Sequence, residues 1–171
     1  MLTVRKAETA DFERIMQIYR IAQDFMIEMG NPNQWRHSHP TEEQIEEDIK
    51  NGICHLICDD EIIHGVFALC GGKDPTYSYI EDGHWLNDDT YVTIHRIAGD
   101  QQVHGILETA VKHCKTYADS VRVDTHHDNA VMQGALMKQG FERCGIIYLK
   151  NGEPRVAFQW RRMKEKRRIS K

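Results

Sequence analysis

The stretch from Val92 to Lys115, VTIHRIAGDQQVHGILETAVKHCK, changes rhythm once. It opens with apolar and polar residues alternating, the period of a strand with one buried face, and closes with Ile106, Ala110, Cys114 and Tyr117 on one face of a helix. Between the two lies a short polar loop holding Gly99 and Gly105. A strand that runs into a helix through so few residues requires the helix to lie back against the sheet. The first helical turn then points unpaired N–H groups and a partial positive charge at the loop. Gly105 sits where the chain enters that turn, and a missing Cβ there lets an anion reach the main chain.

The same reading extends along the chain. LTVRKA alternates as a first strand. Residues 9–30 carry Ile15, Ile18, Tyr19, Ala22 and Met26 at helical spacing, with Thr9 as the expected cap and Gly30 as the stop. NPNQWRHSHP breaks the helix, and TEEQIEEDIKNG restarts one behind Thr41 with acids in its first turn. Two strand-like runs, ICHLICDD and EIIHGVFALC, flank an Asp59-Asp60 turn as a hairpin. After the quoted stretch come a strand (SVRVDTHH, with Val121 and Val123 inward), a short helix closed by Gly140, and two strands around Lys150-Asn151-Gly152. The order β-α-α-β-β-β-α-β-α-β-β predicts an α/β fold with a mixed sheet and helices on both faces. No repeat or linker divides it, so residues 1–160 read as one domain and 161–171 as a basic C-terminal tail.

Bulk properties narrow the function classes. The 171 residues carry a net charge of −4, no general signature of nucleic-acid binding. The last eleven hold seven basic side chains and one acidic, so the preceding residues sit near −10; the tail reads as a solvated terminus. Five cysteines, an odd count without a CxxC pair, read as reduced thiols of a cytoplasmic protein. The N-terminus has no apolar targeting segment, and no apolar run approaches the ~18–20 residues a membrane span needs. Ten histidines are scattered without a dense ligand set, and no metal is expected.

The segment VRVDTHHDNAVMQGALMKQGFERCGIIY follows the loop and helix at a telling distance. Gln102-Val103-His104-Gly105-Ile106-Leu107 is similar to Arg/Gln-x-x-Gly-x-Gly/Ala, and Asn129, Lys138, Gly140 and Phe141 fit Asn-x-x-Ala-x-x-Leu-Tyr-x-Lys-x-Gly-Phe. Together they resemble the GCN5-related N-acetyltransferase (GNAT) family over nearly the whole chain. The resemblance implies a mixed sheet splayed between two parallel strands and acetyl-CoA as cofactor. Its diphosphate would rest on main-chain amides of Gln102, Val103, His104, Gly105, Ile106, Leu107 and Glu108. The pantetheine arm would run beside Ile97 and Ala98, with Asn129 offering its amide and Met132 at the family's small-residue position. Two positions depart from the pattern. Leu107 replaces the second small loop residue, beside the acid Glu108, and Leu136 replaces the tyrosine that many members use as general acid.

The implied reaction is acetyl transfer to a primary amine of a small molecule or protein, by direct attack. The alternative is an acyl-CoA-binding or sensor domain with a degraded site. The amine must attack as the free base, and His95 on the strand beside the cofactor is the candidate base, because an imidazole exchanges protons near neutral pH. His126 is the second choice. Arg96 would face the opposite side of the sheet, in an ion pair. Tyr148 and Cys144 are candidate acids, and departure of the thiolate without a protein acid is the alternative. Trp35, Tyr79, Tyr91 and Trp85 are aromatic residues in or near polar loops that could line the acceptor pocket, and Asp124 could face the cleft. The two terminal strands could pair across a homodimer.

Overall fold

The computed structural model describes residues 1–164. The elements are β1 (Leu2–Lys6), α1 (Phe12–Glu28), α2 (Glu42–Lys50), β2 (Cys54–Asp59), β3 (Ile62–Cys70), β4 (Val92–Gly99), α3 (Ile106–Cys114), β5 (Ser120–Thr125), α4 (Ala130–Lys138), β6 (Glu142–Tyr148) and β7 (Pro154–Arg161). Their order is the one that the hydrophobic rhythm predicts.

The local signals act largely as expected. Ile15, Ile18, Tyr19 and Ala22 are buried on α1, and Thr41 caps α2 by accepting from the Gln44 N–H. Thr9, however, does not cap α1. It opens a 3-10 turn, Thr9–Asp11, whose capping pair is Glu8 and Asp11: the Glu8 N–H donates to Asp11 Oδ2 at 2.8 Å, and Arg5 grips the same carboxylate through two bonds. Tyr117 is exposed rather than inward. α3 ends at Cys114, so Tyr117 lies past the last helical turn and off the apolar face.

Seven strands form one sheet in the order β1-β2-β3-β4-β5-β7-β6, antiparallel except for β4 with β5. Alternate strand residues feed two cores. Ile57, Phe67, Val121 and Val123 pack with Ala110, Val111 and Cys114 of α3 and Leu136 of α4. Leu56, Cys58 and Val66 pack with Ile15, Ile18 and Tyr19 of α1 and Ile45 of α2 on the other face. Each fully buried aliphatic side chain contributes about 1.5–3 kcal/mol, and together they clamp the sheet between two helical layers.

The C-terminal boundary needs correction. Arg161 is the last residue of β7, paired with Ser120, and the Arg162 guanidinium bonds to Asp119 at 2.8 Å. Arg161 thus belongs to the sheet and Arg162 is tied to the residue before β5, both with exposed side chains; residues 165–171 lie outside the described residues. β7 is also interior, between β5 and β6, so of the two terminal strands only β1 offers an edge to a second copy.

Under α3, His55 of β2 and His113 face each other with ring centroids 5.5 Å apart, and His113 Nε2 has no partner among the described residues. Burial pushes both rings below the ordinary 6.5, and His55 adds repulsion at His113. The unfolded chain therefore takes up protons that the folded chain resists, and stability falls as pH drops below ~6.5. Melting curves between pH 7.5 and 5.5 should show a falling Tm, with a shallower slope for His113→Leu; equal slopes would contradict this assignment.

Candidate active site

β5 pairs with β7 along its whole length, from Ser120↔Arg161 to Thr125↔Val156, but with β4 only at Val92↔Val121 and Thr93↔Arg122. β4 instead follows β3 through a bulge. Val66 opposes Ala98 and Ala68 opposes His95, so Phe67 faces two residues, Arg96 and Ile97, and Arg96 takes φ 51°. The sheet thus opens between its two halves, leaving the β5-facing edge of β4 beyond Thr93 without a strand partner. Two cavities, of about 380 and 430 Å³, flank the opening and share Met26, Ile97, Asn129 and Met132 in their walls.

The smaller cavity ends at the N-terminus of α3. Asp100 anchors the loop there: its buried carboxylate accepts from Arg14 at 2.7 Å, His64 Nδ1 at 2.8 Å and the Gln102 N–H at 3.0 Å. Gly105 is the N-cap residue with φ 90°, and Thr109 donates the first helical bond to its carbonyl. Among the described residues nothing accepts from the N–H groups of Val103 to Glu108. The free run therefore begins at Val103, because Gln102 is already held by Asp100. A Cβ added at Gly105 would meet only Leu2 at 3.9 Å and Glu108 Oε2 at 4.0 Å, so this cradle is open. Ile97, Ala98 and Val103 line this cavity, as do His104, Ile106 and Leu107. Glu108 is exposed, with its carboxylate beside the cradle.

The larger cavity holds the titratable groups. His95 Nε2 lies 2.9 Å from Asp74 Oδ2, and Asp74 Oδ1 accepts from the Thr76 N–H and hydroxyl. The bond to His95, then those from Thr76, outweigh burial and hold the Asp74 carboxyl down to about 2. Tyr77 donates to Asp124 Oδ2 at 2.6 Å. Between the cavities, Gln34 Oε1 accepts from Asn129 at 3.0 Å, Asn31 at 2.9 Å and Thr125 at 3.3 Å. Asn129 Oδ1 caps α4 by accepting from Met132 N, so its amide nitrogen faces Gln34 and the opening.

No protein-family model and no curated protein matches the chain. Among solved structures, a GNAT-family acetyltransferase from Streptococcus agalactiae is 29% identical, with 95% of this chain and 96% of that one covered at a TM-score of 0.86. The chain has the fold of the GCN5-related N-acetyltransferases. More distant members share the GNAT fold. A Bacillus subtilis acetyltransferase in complex with CoA is 16% identical, covering 95% and 100% of the two chains at TM-score 0.60. The ribosomal-protein-S18-alanine N-acetyltransferase of Escherichia coli is 13% identical over both whole chains at 0.61.

In this GNAT-fold domain several expected site residues lie apart from the cleft. Tyr148 is part-exposed on β6, its hydroxyl held by Glu81 at 2.6 Å beside Tyr79, which binds the other Glu81 oxygen. Trp85 packs over Arg122, 4.0 Å from ring centre to guanidinium carbon, and donates to the Tyr77 carbonyl. Arg122 is sandwiched on its other side by Tyr91. Cys144 is buried elsewhere, its thiol pushed up by burial. His126 is buried and accepts from the Asp128 N–H, closing the turn before α4; with His127 and Asp128 it sets three possible ligand atoms within 4.8 Å. Trp35 does line the larger cavity, edge-on to Tyr19.

Arg96 forms the expected ion pair, with Asp48, but does not face away from His95. Both residues line the larger cavity, because the bulge breaks the alternation. Asp74, Gln34 and Asp48 were not singled out in the sequence. Asp74-Pro75 is legible as the start of a short turn, but its partner lies 21 positions away. Asp48 is buried and holds Arg96 through bonds of 2.7 and 2.9 Å, while Tyr19 donates to the Arg96 carbonyl. Asp48→Ala leaves a largely buried guanidinium unpaired and should cost about 3 kcal/mol in urea denaturation; a loss under 1 kcal/mol would show the pair to be dispensable.

Proposed function

We propose that this GNAT domain transfers acetyl from acetyl-CoA to a primary amine of a small molecule or protein, by direct attack. The observation that carries the reading is the continuity of the opening. A run of free main-chain N–H groups lies at one end, a histidine–aspartate pair at the other, and an unpaired strand edge between. Five free thiols suit a cytoplasmic setting, and no helix of the described residues is long and apolar enough to cross a membrane.

The residues present fit the cofactor. The diphosphate would be held by the N–H groups from Val103 to Glu108, with the α3 dipole behind them. The arm would lie along Ile97 and Ala98, where β4 has no β5 partner, near the Asn129 amide. When bound, acetyl-CoA supplies the acyl group activated as a thioester.

An alkylamine is protonated near neutral pH, with a usual pKa of ~10, and must lose that proton before it attacks. His95 is placed to take it. With Nε2 donating to Asp74, Nδ1 is left as the acceptor, and the ionised Asp74 stabilises the imidazolium that forms. Among the described residues no tyrosine or cysteine lines either cavity, so no side chain of that kind is positioned to return a proton. His95→Gln should lower kcat about 10²-fold and leave the acetyl-CoA KM within twofold. A variant with wild-type kcat would rule His95 out.

A second reading, acyl-CoA binding without turnover, is favoured by the Glu108 carboxylate beside the cradle, an acid where an anion must settle. Thiol release followed across a panel of amines separates the two. Glu108→Gln should tighten coenzyme A binding several-fold in calorimetry under either reading; weaker binding would place the diphosphate elsewhere.

A further inference from the structure

The larger cavity contains more cationic side chains than anionic ones, yet its unbalanced interior charge is negative. Arg96 is bound on two nitrogens by Asp48, and His95 is held by Asp74. Arg155 is 3.2 Å from Glu153 and also donates to the Pro154 carbonyl. Each of these cations has its own carboxylate, and Glu153 is matched in turn. Arg36 and His39 are exposed at the mouth, where water screens them.

Asp124 differs. It stands at the end of β5, half-buried, in the wall of this cavity. Its one hydrogen-bond partner among the described residues is the Tyr77 hydroxyl, a neutral donor on Oδ2. Oδ1 has none, and no lysine, arginine or histidine of the described residues lies within ion-pair distance. A half-buried carboxylate with one neutral donor favours a cation that enters the cavity. Tyr77 is itself fixed: it is buried against Tyr91 and Trp85 and cannot follow a ligand. The Tyr77 ring also lies 6.3 Å from the His95 ring, so the carboxylate and the imidazole flank one stretch of the opening.

We propose that Asp124 is the acceptor-recognition residue: its free Oδ1 holds the protonated amine of an alkylammonium substrate before His95 removes the proton. This rests on the reading of the larger cavity as the acceptor site and goes further, naming the substrate class as cationic amines rather than neutral or anionic acceptors. One N–H···O bond to Asp124 forms on binding. The proton then passes from the ammonium nitrogen to His95 Nδ1, and the nitrogen lone pair is freed for attack.

The test uses benzylamine and putrescine as cationic probes and benzyl alcohol as a neutral probe of similar shape, with Asp124→Asn as the variant. The asparagine keeps an oxygen for Tyr77, and its melting curve reports folding. Calorimetry on the coenzyme A-saturated protein should show at least one amine binding, benzyl alcohol at least tenfold weaker than benzylamine, and amine binding at least tenfold weaker in Asp124→Asn. In turnover, the variant should raise the amine KM at least tenfold and leave the acetyl-CoA KM within twofold. Equal binding of the alcohol, an unchanged amine affinity in a folded variant, or no amine binding would each overturn the proposal. If the variant does not fold, the comparison of amine with alcohol on the wild-type chain decides it alone. Amine binding lost in the variant, but with no thiol released by any amine, would uphold Asp124 as the recognition residue and overturn acetyl transfer.

Discussion

Two rungs of parallel pairing, Val92 with Val121 and Thr93 with Arg122, hold the halves of the sheet together, and the rest of the structure depends on their being only two. A third and fourth rung would close the gap in which both cavities lie. Backbone groups without a partner are costly when buried, so an open strand edge persists only where a solvent or ligand can satisfy it. The edge of β4 therefore carries an implicit demand for a ligand with amide-like donors and acceptors. The bulge at Arg96–Ile97 serves the same end from the other side, bending β4 toward β3 while β5 stays with β7.

Strain at the bulge is offset by buried polar contacts. Arg96 adopts a conformation unusual for an arginine, and Asp48 and Tyr19 hold its side chain and its carbonyl from the α1–α2 side. Asp100 plays the matching part at the α3 end, gathering α1, β3 and the loop through Arg14, His64 and Gln102. Both devices use a buried carboxylate to fix a backbone segment that lines the opening. Rigid placement of free N–H groups is what makes them useful to an anion, since no reorganisation is then required on binding.

The resemblance between the cleft's two ends is only geometric. At the α3 end the opening presents free main-chain N–H groups, and side-chain identity matters where it would block or repel an anion, as at Gly105 and Glu108. At the other end side chains decide everything. There each cation but the exposed Arg36 and His39 has been matched with an acid, so that Asp124 is left as the interior charge to be answered.

Sequence alone determined the element order, the two-faced burial, the glycine at the head of α3 and the caps at Thr41 and Gly140, because these follow from periodicity and from local backbone preference. It also carried the GNAT resemblance, through an ordered set of residues in a loop and a helix. What it left open are pairings over long separations: His95 with Asp74, Arg96 with Asp48, Tyr77 with Asp124, Gln34 with Asn129. Neither the exposure of Tyr148 nor the side of the sheet that Arg96 takes was legible either, since one extra residue in β4 inverts the alternation beyond it. Tertiary structure decided these because a hydrogen bond between side chains depends on where two backbones are carried by everything packed between them, and no local rule encodes that.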